Sequence, residues 1–381
     1  MSLPTPTSKP TPTPFKISIS DTLLSFINDR VRTARIPGGV DLPPGKEWAR
    51  GVPPSVMHHL QEYWTTKYDW RAVEARINSR LKMFTLPIEE EGEEFMMHFV
   101  DKIIDSLVCP SDPNQQAYHV VAPSLPGFAF SSASSSPEFS VVNMASINNK
   151  LMHALGYSKY IAQGGDWGSM TSRAMGIAYP ESCVAVHVNM LGTNPPSWWA
   201  SPVAFVRFML WAAWTSNQEG GKLNRMMWWG REELVDSPLG MLAWLRDKME
   251  PIVDDDFTWQ DEDVITWAMM YIIPGSSGQA DIYTNTKGEK SKTALPAASA
   301  KLSSDVDFGA SLFPKDTFNI PYFWASSEVA KNIVFWREHS RGGHFAAVEK
   351  PVELVNDIRE FTGLIKKDRV LGLRAAGKLK V

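Results

Sequence analysis

Behind Ser20 and Asp21, either of which can cap a first turn, the apolar residues Leu23, Leu24, Ile27 and Val31 recur at helical spacing. This predicts a helix, closed by Pro37 and the glycine pair after it. Ahead of it, Phe15 to Ile19 alternates apolar with polar positions and reads as a short strand. From Pro43 to Leu81 the pattern is helical but interrupted by turns, with Trp48, Trp64, Tyr68 and Trp70 as bulky anchors, as suits a segment that wraps a larger body.

The middle of the chain changes rhythm. Tyr118 to Ala122 is rich in strand formers and stops at Pro123, Tyr160 to Gln163 stops at Gly164, helical spacing follows from Ser169 to Ala178, and Val184 to Val188 is again strand-like. Strand, helix, strand in this order predicts an α/β body whose central sheet is mostly parallel and covered by helices. From Pro195 to about Asp281, Trp, Met and Leu recur at helical intervals without strand signals, which predicts a helical lid inserted into that body. Strand character returns at Asn332 to Trp336, and a last helix starts at Pro351, a residue suited to a first turn, and runs to about Ile365. The expected organisation is a disordered leader over 1–14, an N-terminal wrapping region over 15–94, a core in two parts over 95–194 and 296–381, and the lid over 195–295.

The chain's 381 residues are 44% hydrophobic and 21% charged, ordinary globular usage, which excludes a fibre, a disordered chain or a disulfide scaffold. Thirty-eight basic against 42 acidic residues give a net charge of -4, so no broad cationic face is available for nucleic acid. Cys109 and Cys183 read as reduced, buried thiols. The leader lacks an apolar core for a secretory signal, and the greasiest run, Val203 to Trp214, is interrupted by Arg207 and falls short of the roughly 20 residues a membrane span needs. A cytoplasmic protein without a stable membrane span is expected.

The chemistry concentrates in Gln163-Gly164-Gly165-Asp166-Trp167-Gly168-Ser169, between a predicted strand and a predicted helix. A nucleophile elbow needs small residues two before and two after its apex, and Gly164 and Gly168 occupy those positions. The apex is Asp166, not serine. A carboxylate attacking a saturated carbon that bears a leaving group gives an alkyl ester which water can cleave, so activated carbon–heteroatom bonds are the favoured substrates. The plain alternative is a turn in which Asp166 caps a helix with its carboxylate. A base is offered by His344, in Arg341-Gly342-Gly343-His344-Phe345-Ala346, where two glycines free the backbone to turn. The acid that would orient it falls between them: Asp316, after Phe313-Pro314-Lys315, with Asp305 and Asp307 as competitors.

These residues resemble the microsomal-type epoxide hydrolases of the α/β-hydrolase superfamily, with their N-terminal epoxide-hydrolase region. The resemblance runs through Phe15-Lys16-Ile17-Ser18-Ile19, Asp69-Trp70-Arg71 with Glu74, and Ala122 to Phe128. It continues through Gly164 to Gly168, Asp236 to Gly240, Phe313 to Asp316, and Gly342 to Ala347. It implies an α/β-hydrolase fold, Asp166 as nucleophile, His344 as base, Asp316 as the orienting acid in preference to its competitors, and the Trp167 amide as an oxyanion donor. Tyr283 matches a family tyrosine that protonates the epoxide oxygen, as a phenol with pKa about 10 can, whereas Tyr271 reads as packing. The expected partner is a small apolar epoxide, with a homodimer as a further expectation. No cofactor and no metal are expected, since neither a His-Glu-x-x-His string nor a dinucleotide glycine fingerprint occurs.

Two stretches depart from the family. Phe95 to Val100 leads directly into Asp101-Lys102-Ile103-Ile104, without the further strand and His-Gly-x-Pro loop that supply the other oxyanion donor. In the lid, Trp228 to Glu233 is separated from Asp236-Ser237-Pro238 by Leu234 and Val235 only, and no residue matches the second lid tyrosine. A haloalkane dehalogenase, which shares an Asp-Trp elbow, and a catalytically inactive paralogue acting as a binding protein are therefore the rival expectations.

Overall fold

The computed structural model describes residues 10–39, 42–101, 105–136, 138–216, 237–275, 299–366 and 369. Strand β1 (Thr13–Phe15) precedes three helices, α1 (Asp21–Thr33), α2 (Pro54–Thr66) and α3 (Trp70–Arg80). Ser20 caps α1 by accepting from the Leu23 N–H at 3.2 Å, and Leu24, Ile27 and Val31 form its buried face, as the spacing predicts. The strand expected over 15–19 lies earlier, at Thr13–Phe15, and 16–19 are not in it. The Asn78 side chain takes both the N–H and the C=O of Ile17, at 2.8 Å each, and Glu74 takes the Ile19 N–H at 2.8 Å, so side chains replace a ladder.

A hairpin of β2 (Lys82–Glu90) and β3 (Glu93–Asp101) follows, turning at Glu91 and Gly92, both with positive φ (49° and 83°), the conformation a tight two-residue hairpin demands. Strands β1 to β3 and the short β4 (Val121–Pro123), reached through the single turn α4 (Asp105–Val108), pair antiparallel in the order β1-β2-β3-β4. The second sheet is parallel, in the order β5-β6-β7-β8, built from β5 (Tyr160–Gly164), β6 (Cys183–Val188), β7 (Asp307–Leu312) and β8 (Ile333–Glu338). Among the described residues β4 and β5 are end strands of two separate ladders, and no strand joins them.

Helices α5 (Val141–Ala154) and α6 (Asp166–Ala178) cover these sheets, and one hydrophobic core runs from Leu86, Ile88 and Met97 of the hairpin through Ile147 and Leu151 to Val186, Phe308 and Ala310. Close approach needs small residues: a Cβ on Gly176 would lie 2.7 Å from Val186, and one on Gly309 2.5 Å from the Phe361 ring. The insertion contributes α7 (Pro202–Ser216), α8 (Pro238–Met249) and α9 (Asp261–Ile272); its other expected parts lie outside the described residues. Helices α8 and α9 pack on the N-terminal region in a second core, where Leu242, Leu245 and Ile265 meet Ile27, Leu60 and Trp64. The wrapping region therefore seats the lid base. Helix α10 (Tyr322–Glu328), the turn α11 (Ala346–Glu349) and α12 (Pro351–Leu364) complete the chain.

The two cysteines differ. Both are free, Cys183 buried in β6, but Cys109 is exposed, against the expectation of a buried thiol, because it follows the last turn of α4 at the surface. Among the described residues no helix is long and apolar enough to cross a membrane, and no group of three or more His, Cys, Asp and Glu side chains could hold a metal.

Candidate active site

Strand β5 ends at Gly164, whose carbonyl accepts from the Asn189 N–H at 3.2 Å, and α6 starts two residues later. The reversal forces Asp166 to φ 47°, a left-handed conformation that costs a β-carbon-bearing residue on the order of 1–3 kcal/mol. A Cβ on Gly164 would stand 2.3 Å from the Gly168 carbonyl, so glycine is obligatory there; one on Gly168 would meet no described residue within 4 Å. Crowding thus explains the first glycine of the elbow and not the second, which corrects the symmetrical reading of the motif. The capping alternative also fails: Gly165 is the N-cap, no side chain caps the helix, and Asp166 is its first residue. The positive helix end still favours a carboxylate there.

That carboxylate, with a side chain 40% exposed, lies 3.7 Å from His344 Nε2. The other imidazole nitrogen, Nδ1, donates to Asp316 Oδ1 at 2.7 Å, so the proton on Nδ1 is held by that acid and Nε2 is left facing Asp166. Asp316 sits after β7 in the turn closed by its own N–H to Phe313 O (3.1 Å), and it is fully buried. Its Oδ1 also accepts from the Thr317 N–H (2.6 Å) and hydroxyl (3.1 Å). Burial alone would lower the His344 pKa, but the two carboxylates outweigh it, Asp316 through charge and its hydrogen bond and Asp166 as the second acidic neighbour, and raise it to about 10. The two carboxylates therefore favour the protonated form of the imidazole.

The structure thus brings Asp166, His344 and Asp316 together and leaves both competitors out. Asp305 is exposed before β7, and Asp307 spends its carboxylate on Asn332, on the Lys366 N–H (3.0 Å) and on Arg369 (2.9 Å). Trp167 follows Asp166 in the first turn of α6, and its ring packs at the edge of the main core. Tyr283 lies outside the described residues. Tyr271 faces Phe128 (6.3 Å between centroids) and Trp244 (5.9 Å) in edge contacts, the packing role expected of it.

Sequence reasoning missed the surroundings of His344. Phe345 stands edge-on to the His344 ring at 4.9 Å and packs on Trp259 and Trp267 at 5.1 Å each, so the lid base walls one flank of the site with aromatic carbon. It missed Asp254 and Glu349 as well, which bind the backbone on either side of His344. Only the Asp254-Asp255-Asp256 run hinted at either.

A strand, a strained turn and a helix that starts at Asp166, with an acid after a later strand and a histidine near the end of the chain, define an α/β-hydrolase in which aspartate has the elbow position. Comparison with known proteins agrees. Residues 12–111 match the family described as epoxide hydrolase N terminus, and residues 109–213 match the alpha/beta hydrolase fold. A Stigmatella aurantiaca protein carrying a provisional epoxide hydrolase name is 29% identical over 384 residues, covering 91% of this chain and 84% of that protein. Epoxide hydrolase 1 of Sus scrofa is 24% identical over 416 residues, covering 93% and 89%. The structure of Aspergillus niger epoxide hydrolase superposes with a TM-score of 0.70 at 26% identity, covering 93% of this chain and 97% of that one. Juvenile hormone epoxide hydrolase from the silkworm Bombyx mori shares the fold at a TM-score of 0.79 and 21% identity, covering 94% and 96%. These likenesses together support a microsomal-type epoxide hydrolase of the α/β-hydrolase superfamily.

Proposed function

We propose that this chain adds water across small apolar epoxides through an ester on Asp166. The observation that carries the reading is the buried pairing of His344 with Asp316 at 2.7 Å while its other nitrogen faces the Asp166 carboxylate. In the first step a carboxylate oxygen of Asp166 attacks a ring carbon, the C–O bond breaks, and the ring oxygen takes the phenolic proton of Tyr283, which the sequence match nominates as donor. The product is an alkyl ester of Asp166 and an alcohol.

Ester formation removes the charge of Asp166, one of the two that hold the His344 proton, so the imidazole pKa falls. The proton then released makes good the one lost from Tyr283, and a neutral base remains. His344 Nε2 next takes a proton from water as the oxygen attacks the ester carbonyl carbon. The charge that forms on that carbonyl is met by the Trp167 N–H. Collapse passes the remaining hydroxyl proton to the leaving alcohol, giving a vicinal diol, the Asp166 carboxylate and His344 again as imidazolium. The cycle closes with no net proton change.

The test is isotopic. A single turnover of an aryl epoxide in 18O-water, with enzyme in excess, should place 18O in the Asp166 carboxylate and leave the first diol unlabelled. Label in the first diol would mean direct attack by water and would refute the ester. Halide release from a haloalkane without diol formation from epoxides would favour the dehalogenase alternative.

A further inference from the structure

The base of this site sits on a backbone with little restraint of its own. Gly342 has φ 103°, and Gly343 lies so close to the lid base that a Cβ there would come 2.1 Å from Ile252 O. What fixes the loop is the segment between α8 and α9. The Ile252 carbonyl accepts the His344 N–H at 2.8 Å. Asp254, 4% exposed, accepts the Gly342 N–H on Oδ2 at 2.5 Å and the Arg341 guanidinium on Oδ1 at 2.7 Å, with Lys350 Nζ 3.7 Å away. Glu349 closes the ring, accepting the Asp254 N–H at 2.6 Å and the Phe345 N–H at 2.8 Å. One residue further on, Asp255 pairs with Lys315 at 2.7 Å, beside the acid Asp316.

We infer that Asp254 is a positioning residue, which holds the His344 loop in register with the lid base and so aims Nε2 at the ester on Asp166. Neither Asp254 nor Glu349 reaches the reacting atoms; both act through the amides that flank the base. The Asp254 carboxyl suits this role because it keeps its charge. Burial would raise its pKa, but the Gly342 amide, Arg341, the Asp256 amide and Lys350 hold it at about 2, so it is ionised at neutral pH. Because α8 and α9 are seated on the N-terminal helices, the clamp ties the catalytic base to a layer remote from it in sequence. The two half-reactions should then differ in sensitivity. Attack by Asp166 depends on the elbow, whereas hydrolysis depends on where His344 points.

This inference rests on the ester reading and is tested alongside it. Full-length wild type, Asp254→Ala and Asp254→Asn are mixed in excess with an aryl epoxide, quenched at intervals, and the ester followed by intact mass. Ester formation should stay within about threefold of wild type, while its hydrolysis slows about 10- to 100-fold in Asp254→Ala, the scale of an ångström-sized misplacement. Asp254→Asn, which keeps an acceptor for Gly342 and loses the ion pair, should fall between. Equal slowing of both steps, or unchanged hydrolysis in Asp254→Ala, would overturn the positioning role while leaving the ester standing. No ester in wild type at all would overturn the proposed function and this inference with it. Retained ester formation is itself evidence that a variant is folded.

Discussion

Replacing Asp316 with asparagine isolates the charge behind the base. Its Oδ1 accepts three hydrogen bonds, from His344, the Thr317 N–H and the Thr317 hydroxyl, whereas its buried Oδ2 has no partner among the described residues. The amide oxygen of Asp316→Asn should therefore take the Oδ1 place and keep the His344 tautomer. The amide nitrogen then occupies the Oδ2 site as a buried donor lacking an acceptor, at about 1–3 kcal/mol of folding stability. The larger loss is electrostatic. Opposite charges about 4 Å apart in surroundings of effective dielectric near 20 attract by about 4 kcal/mol, which is worth about three decades in the step where His344 gains its proton. Ester hydrolysis should fall about a thousandfold, ester formation little, and the variant should accumulate nearly one ester per site. Rapid quench with intact-mass detection reads both rates. Slow steady-state turnover without accumulated ester would refute the reasoning, since it would place the role of Asp316 before the ester.

At the elbow, Gly164→Ala should lose ester formation and stability, by about 1–3 kcal/mol or more from overpacking, whereas Gly168→Ala should be neutral or stabilising by up to about 1 kcal/mol; urea unfolding and burst amplitude separate them. The raised pKa of His344 fixes a pH trend: a group raised from 6.5 to about 10 stabilises the fold fully below its unfolded pKa, and that contribution fades as pH climbs through 10. The melting temperature of wild type should accordingly drop more steeply between pH 8 and 10.5 than that of Asp166→Asn, which has lost one of the two partners; parallel curves would contradict the linkage. Beneath the parallel sheet, fully buried Asp357 accepts from Ser311 (2.6 Å) and Arg337 (2.5 Å) and pairs with His339 (2.7 Å). Its change to alanine should cost about 3–5 kcal/mol in urea unfolding without altering the ratio of ester formation to hydrolysis.

The site was legible where its constraints are local. The turn at Asp166 needs Gly164 within two residues, and the loop before His344 needs its glycines next door, so both leave short signatures. The choice among Asp305, Asp307 and Asp316 was not local, because it depends on which end of β7 each occupies, and spacing left it open. Strand β7 itself escaped notice because tertiary duties dilute its pattern: Gly309 makes room for Phe361, and Ser311 bonds His187 and Asp357. Strand β2 was hidden by Pro87, which the ladder tolerates because β1 pairs only with Met83 to Thr85 and leaves that edge of Pro87 without a neighbouring strand. The opposite error, a strand at 15–19, arose because alternation is visible in sequence while the Asn78 and Glu74 side chains that take its backbone groups are 55 to 61 residues away. Asp254 is farther still from its partners, 87 residues from Arg341 and 88 from Gly342, and no sequence spacing announces it.

The central claim is that Asp166 bonds covalently to substrate carbon. The direct measurement is the mass of the tryptic peptide bearing residue 166 after quenching Asp316→Asn with an aryl epoxide. The account predicts a mass increase equal to the whole epoxide, carried on Asp166 and absent from the doubly changed Asp166→Ala, Asp316→Asn protein. An unmodified peptide in a variant that still makes diol would contradict it.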